Sequence, residues 1–307
     1  MPDDDSPAHA SCPTPARRRS VTAAAVLAAV CLTATGCGPG GGTPQGGPPA
    51  AGSTSASPRE SSPASSPSPA LPSAPASGKR LPRGPLTGRT VVIDPGHNPR
   101  NREHTREINA QVDVGNGRKE CDTTGTATES GYTEAEFTLD VSHRLRNLLE
   151  AEGARVVLTH DDDRPFGPCV DERARIGNEA YADAVVSVHA DGSAAGNRGF
   201  HVILPATVRD GGADTSKIVS PSRDLGERIA GGFRRTTGSA PSNYIGGNTG
   251  LDTRDDLGGL NLSTVPKVFI ECGNMRDPED AALLMSADWR QRAATGVADG
   301  IGRYLKR

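Results

Sequence analysis

The 307-residue chain sets 34 lysines and arginines against 37 aspartates and glutamates, a formal charge of −3, and only 3% of it is aromatic. No basic stripe interleaved with aromatics appears, which excludes nucleic acid as a partner. No internal repeat is present.

The chain begins with a leader. Arg17-Arg18-Arg19 precedes SVTAAAVLAAVCLTATG, an apolar stretch too short and too rich in Ala and Thr for a membrane span. A positive patch, a short apolar run and small residues read as a bacterial-type secretory signal over residues 1–36. Its ATGC ending resembles a lipoprotein processing site, with Cys37 as the lipidated first residue of the mature protein, although the usual leucine three places earlier is Ala34. Residues 37–84 are almost wholly Gly, Pro, Ser, Ala and Thr, which cannot form a core. They read as a disordered tether that spans on the order of 40 Å as a coil. The expected location is the cell envelope, on the outer side of the cytoplasmic membrane, through a lipid anchor. Residues 85–307 are long enough for one well-buried domain.

Within that domain TVVIDPGHNPRN opens as a buried strand and stops at Pro95-Gly96, leaving His97 just past its end. A long polar loop, residues 95–132, follows. Thr133 with Glu136 three places later is a capping box, and Phe137, Val141, Leu145 and Leu148 continue at helical spacing until Gly153. ARVVLT predicts a strand, DERARIGNEAYA a helix, DAVVSVHADG a buried strand and GFHVILP another. SRDLGERIAGGFRR predicts a helix, KVFIECGN a strand, and PEDAALLM and DWRQRAATGVADGIGRYLKR two final helices. Strands alternating with helices imply an α/β fold, a twisted and mostly parallel sheet with helices on both faces.

Of six cysteines, Cys12 and Cys31 leave with the leader and Cys37 is the lipid candidate. Cys121 and Cys169 lie in loop-like sequence and Cys272 in a strand pattern, so an exported protein is expected to bridge Cys121 to Cys169. In the chain-entropy model, closing that loop stabilises the domain by about 4 kcal/mol.

Ligands of such folds bind beyond the carboxyl ends of the strands. His97, His189 and Glu271 all fall at strand ends, and Glu134 sits in the first turn of the capped helix, where the dipole favours a carboxylate. Two histidines and one carboxylate are the ligand set of a catalytic zinc site that keeps an open position. No HExxH helix exists, so the ligands must converge from distant segments.

VVIDPGHN, GYTEAEFTLDVSHRL, RARIGNEAYADAVVSVHADG and VFIECGN together resemble the successive signatures of the zinc-dependent N-acetylmuramoyl-L-alanine amidases, type 3. The resemblance covers residues 90–305 in the family's order. It implies a zinc ion held by His97, Glu134 and His189, with Glu271 as catalytic base. It also implies cleavage of the amide joining N-acetylmuramic acid to L-alanine of peptidoglycan. The family pattern selects Glu134 over Glu136, and Glu136 already has the capping box to serve. Zinc-activated water would attack, while Glu271 would take its proton and return one to the leaving amine. Two departures leave the groove's shape open: Cys272-Gly273-Asn274 follows the catalytic glutamate, and the loop 98–131 is long.

Other residues read more plainly. His201 is a strand histidine with a structural hydrogen bond, His143 a solvated helix residue, and Asp161-Asp162-Asp163 a solvated turn lacking the glycine and distal glutamate of a calcium loop. Arg173 and Asn178 match family positions beside the site, where the resemblance implies that they brace it. Arg254 and Asn261 are groove candidates for contact with muropeptides, and a monomer is expected. A cysteine peptidase built on Cys272 is disfavoured because strand alternation turns Cys272 away from Glu271. A catalytically dead glycan-binding module is disfavoured because all four active residues are present.

Overall fold

The computed structural model describes residues 82–306. The expected leader 1–36, Cys37 and nearly all of the tether 37–84 lie outside the described residues. Six strands form the main sheet: β1 (Thr90–Pro95), β2 (Arg155–Leu158), β3 (Ala184–Asp191), β4 (His201–Pro205), β5 (Leu251–Arg254) and β6 (Lys267–Asn274). Their order across the sheet is β2-β1-β3-β6-β4-β5. The first four run parallel, β4 pairs antiparallel with β6, and β5 runs parallel to β4. The reversal has a covalent cause. The link 192–200 carries no helix and is too short for a crossover, so β4 must turn back.

Five helices flank the sheet: α1 (Glu134–Ala151), α2 (Val170–Glu179), α3 (Val219–Thr237), α4 (Pro278–Met285) and α5 (Ala287–Leu305). Strand alternation sorts the core. Val91, Ile93, Val186, Val188, Val268, Ile270 and Cys272 face one way, against Phe137 and Leu145 of α1, Ile229 and Phe233 of α3, and Val297 and Ile301 of α5. Val92 and Val185 face the other way, against Ile176 of α2 and Ala182. By the same alternation Asp94, Ser187, His189, Phe269 and Glu271 share this second face. The thin apolar layer under α2 ends where these mostly polar side chains begin.

Two expectations need correction. The segment 95–132 is not irregular: after the close of β1 it holds helical turns at Asn101–Glu103 and Thr105–Ile108, and a hairpin pairing Gln111–Asp113 with Arg118–Glu120. Buried Ile108 and Val114 pin it down. A polar sequence concealed these pieces because each is too short to show a period. The edge strand β5 was also not foreseen: its LDTR has no apolar run, since an edge strand half open to water needs none.

Candidate metal centre

The capping box is formed. Thr133 Oγ1 accepts from the Glu136 amide and the Glu136 carboxylate accepts from the Thr133 amide, which makes Glu134 the first residue of α1. The Glu134 carboxylate thus lies at the positive end of the helix. Its Oε1 accepts from the Ala190 amide at 3.2 Å and lies 3.0 Å from His189 Nδ1. Its Oε2 accepts from the Thr126 amide at 3.0 Å and lies 3.1 Å from His97 Nε2. One donor atom from each of His97, Glu134 and His189 falls within 4.8 Å of the others. Among the described residues, these three form the group that could hold a metal ion.

His97 reaches that point at a cost. Its φ of 63° is left-handed, a conformation worth about 1–3 kcal/mol of strain in a residue with a side chain. Gly96 beside it allows β1 and β3 to close up, because a Cβ there would sit 2.4 Å from the His189 ring. Phe269 stacks on that ring, with centroids 5.4 Å apart and planes 22° from parallel. The Nδ1 of His97 faces the Thr123 carbonyl at 3.1 Å. A carbonyl only accepts, so Nδ1 keeps its hydrogen and Nε2 is the atom left for a metal. Burial alone would lower the His97 pKa, but the Glu134 and Asp122 carboxylates hold it well above the usual histidine range. The site therefore calls for positive charge between Glu134 and the two rings. Two imidazole nitrogens and a carboxylate oxygen suit a borderline divalent metal such as zinc.

Glu271 lies in the second half of β6, in register with His189 on β3 and His201 on β4. Its Oε2 is buried without a hydrogen-bond partner. Burial raises its pKa, the Glu134 and Asp191 carboxylates raise it further, and His97 and Arg254 only partly oppose them. Arg254 forks onto Asp256 at 2.7 Å through two nitrogens, with its charge felt at Glu271. Asn261 is buried, its NH2 donating to Asn116 Oδ1 and the Asp255 carbonyl while its Oδ1 has no partner. His201 is buried with its ring edge to Tyr244, and its Nδ1 lacks the structural hydrogen bond expected of it. Tyr244, which the sequence reading missed, donates its hydroxyl to Asp191 Oδ2 at 2.6 Å. A cavity of about 290 Å³ opens on the two histidines and is walled by Val170, Leu257, Gly258 and Phe269.

A disulfide joins Cys121 to Cys169. Cys272 is a free thiol in the opposite, apolar core, where burial and the nearby Glu271 and Glu134 push its pKa well up. A thiol so placed is the reverse of an activated nucleophile.

Sheet, helices and donor set define an α/β domain with a prospective metal site at the carboxyl ends of its parallel strands. The Amidase_3 family, N-acetylmuramoyl-L-alanine amidase, matches residues 91–303, and the chain belongs to it. It is 40% identical over 221 residues to the N-acetylmuramoyl-L-alanine amidase Rv3717 of Mycobacterium tuberculosis, covering 72% of this chain and 88% of that one. Among solved structures it resembles the amidase Ami1 of Mycobacterium smegmatis (39% identity, TM-score 0.66, 72% of this chain and 98% of that one). It equally resembles Ami1 of Mycobacterium abscessus (41% identity, TM-score 0.66, 72% and 100%).

Proposed function

We propose that this protein is a zinc-dependent hydrolase of the amide between N-acetylmuramic acid and the L-alanine of peptidoglycan, acting in cell-wall remodelling or turnover. The observation that carries the reading is the convergence of His97, Glu134 and His189 beside Glu271, whose buried Oε2 has no hydrogen-bond partner, in a chain of this family. His97 through Nε2, Glu134 and His189 would hold the metal. When bound, zinc supplies Lewis acidity, polarising a carbonyl and bringing the ionisation of water to about pH 7. Glu271 takes the proton of the attacking water as its oxygen bonds to the carbonyl carbon. It then delivers that proton to the nitrogen as the C–N bond breaks, so the products are the free lactyl carboxyl and the L-alanine amine. The cavity beside the histidines takes the substrate, and Arg254, whose charge is felt at Glu271, is a further candidate contact. Residues 1–36 direct export, and lipid on Cys37 with the tether 37–84 holds the monomeric domain at the membrane surface.

Metal analysis combined with mass spectrometry of digested muropeptides tests the reading. The expected result is one zinc per chain and free L-alanine-terminated stem peptides, both abolished by a chelator. Undiminished cleavage by fully metal-free protein would overturn it. Detergent partitioning checks the anchor: the mature protein should enter the detergent phase and begin at Cys37.

A further inference from the structure

Beneath the metal centre lies a buried chain of charge that the reaction itself does not use. Arg173 of α2 is 5% exposed, and all its donor directions are taken. Nε donates to the Pro168 carbonyl at 2.8 Å, Nη1 to Asp94 Oδ1 at 2.7 Å and the Pro95 carbonyl at 2.6 Å, and Nη2 to the His97 carbonyl at 3.2 Å and Asp122 Oδ2 at 2.9 Å. Two of those acceptors are backbone carbonyls flanking Gly96, in the turn that carries His97 in its left-handed conformation. Asp122 is buried too, and its other oxygen, Oδ1, lies 3.5 Å from His97 Nδ1. Asp94 is anchored in turn by Lys267 Nζ at 3.3 Å and by the hydroxyls of Ser187 and Thr159.

We propose that Asp122 and Arg173 are a positioning pair for His97: Arg173 clamps the strained turn and the Asp122 carboxylate, and Asp122 orients the imidazole so that Nε2 faces Glu134 and His189. The inference rests on the metal reading above. The chemistry of Asp122 is specific. Arg173 Nη2 and Asn101 Nδ2 donate to one oxygen and the Thr123 amide to the other, which also lies 3.5 Å from the protonated Nδ1 of His97, so that each oxygen faces donors only. An asparagine of the same shape must turn its NH2 on one of these pairs, so it cannot serve both Arg173 and His97. A lysine at 173 has no planar fork and cannot hold a carboxylate and two turn carbonyls together.

The test measures zinc affinity by chelator competition, and the thermal midpoint of the metal-free protein, for wild type, Asp122→Asn and Arg173→Lys in the full chain. A partner that orients a ligating histidine is worth roughly 10- to 100-fold in metal affinity. Asp122→Asn should lose zinc affinity by that factor and alter the visible spectrum of the cobalt-substituted protein, with its metal-free melting little changed. Arg173→Lys should lose as much affinity. If Arg173→Lys does not fold, Asp122→Asn decides alone. Folded Asp122→Asn protein that binds zinc as tightly as wild type, whatever its melting temperature, overturns the inference while leaving the metal reading intact. Wild type that binds no zinc overturns both.

Discussion

Glu271 and Cys272 are adjacent in sequence and opposite in role, because a strand points neighbours to opposite faces. Glu271 turns toward the histidines and Cys272 into the apolar core with Val268 and Ile270. The metal and proton-transfer roles separate by substitution. His189→Ala should lose both metal and activity. Glu271→Gln should keep near-full zinc while its turnover falls by roughly 10²–10⁴, the usual worth of a positioned acid or base; substantial muropeptide cleavage by zinc-loaded Glu271→Gln would sink the mechanism. Cys272 should resist alkylation in the native protein and react once it is unfolded, because burial suppresses its thiolate. Cys272→Ala should leave most activity intact, as measured by the same muropeptide assay.

At the scale of elements, α1 brings Glu134 into the site, while the α3–α5 pair packs the opposite, apolar face of the sheet. Thr133→Ala removes the side-chain half of the capping box and should cost about 1 kcal/mol in denaturant unfolding. It should also loosen Glu134, which the cap holds at the helix start. Helices α3 and α5 approach so closely that a Cβ on Gly300 would lie 2.5 Å from Ile229 Cα. Gly300→Ala should therefore destabilise by about 1–3 kcal/mol, despite alanine's better helix propensity, because the clash is with backbone and neither helix can yield alone. Denaturant midpoints of the two variants check both statements.

Over the whole molecule, buried charge and a covalent staple set the response to solution conditions. For Asp94, burial alone would raise the pKa, but Lys267, Arg173 and hydrogen bonds from Ser187 and Thr159 hold it far below the usual carboxylate range. Its contribution to stability is thus complete above the unfolded value of about 4 and is lost as pH falls below it. Thermal midpoints of wild type should drop steeply between about pH 5 and about pH 2. Asp94→Asn should start lower, since buried Lys267 loses the carboxylate it pairs with and buried Arg173 loses one of its two, at a cost of about 3–5 kcal/mol, and should depend less on acid. The Cys121–Cys169 bridge closes a separation of 48 residues. Reduction should lower unfolding stability by about 4 kcal/mol in the chain-entropy model, and unreduced peptide mapping should find Cys272 unpaired.

What the sequence by itself determined was local and periodic. The 3.6-residue rhythm of α1, the apolar runs of β1, β3 and β6, the capping box and the punctuation at Pro95-Gly96 and Gly153 are each readable within a dozen residues. From them follow the α/β class and the placing of His97, His189 and Glu271 at strand ends. The choice of Glu134 as their companion came from family resemblance more than from periodicity. Tertiary structure alone decided the rest. The placing of β4 beside β6 and not beside β3 depends on which strands neighbour one another. The hairpin within 95–132 and the edge strand β5 are too short and too polar to announce themselves. That Asn261 is buried with its NH2 on Asn116 and Asp255 is likewise set by contacts distant in the chain or made in the fold. Asp122 lies in an ordinary polar stretch, and nothing nearby in sequence marks it. Its importance arises only when α2 brings Arg173 against it and β1 brings His97, contacts made between residues 51 and 25 positions away in the chain.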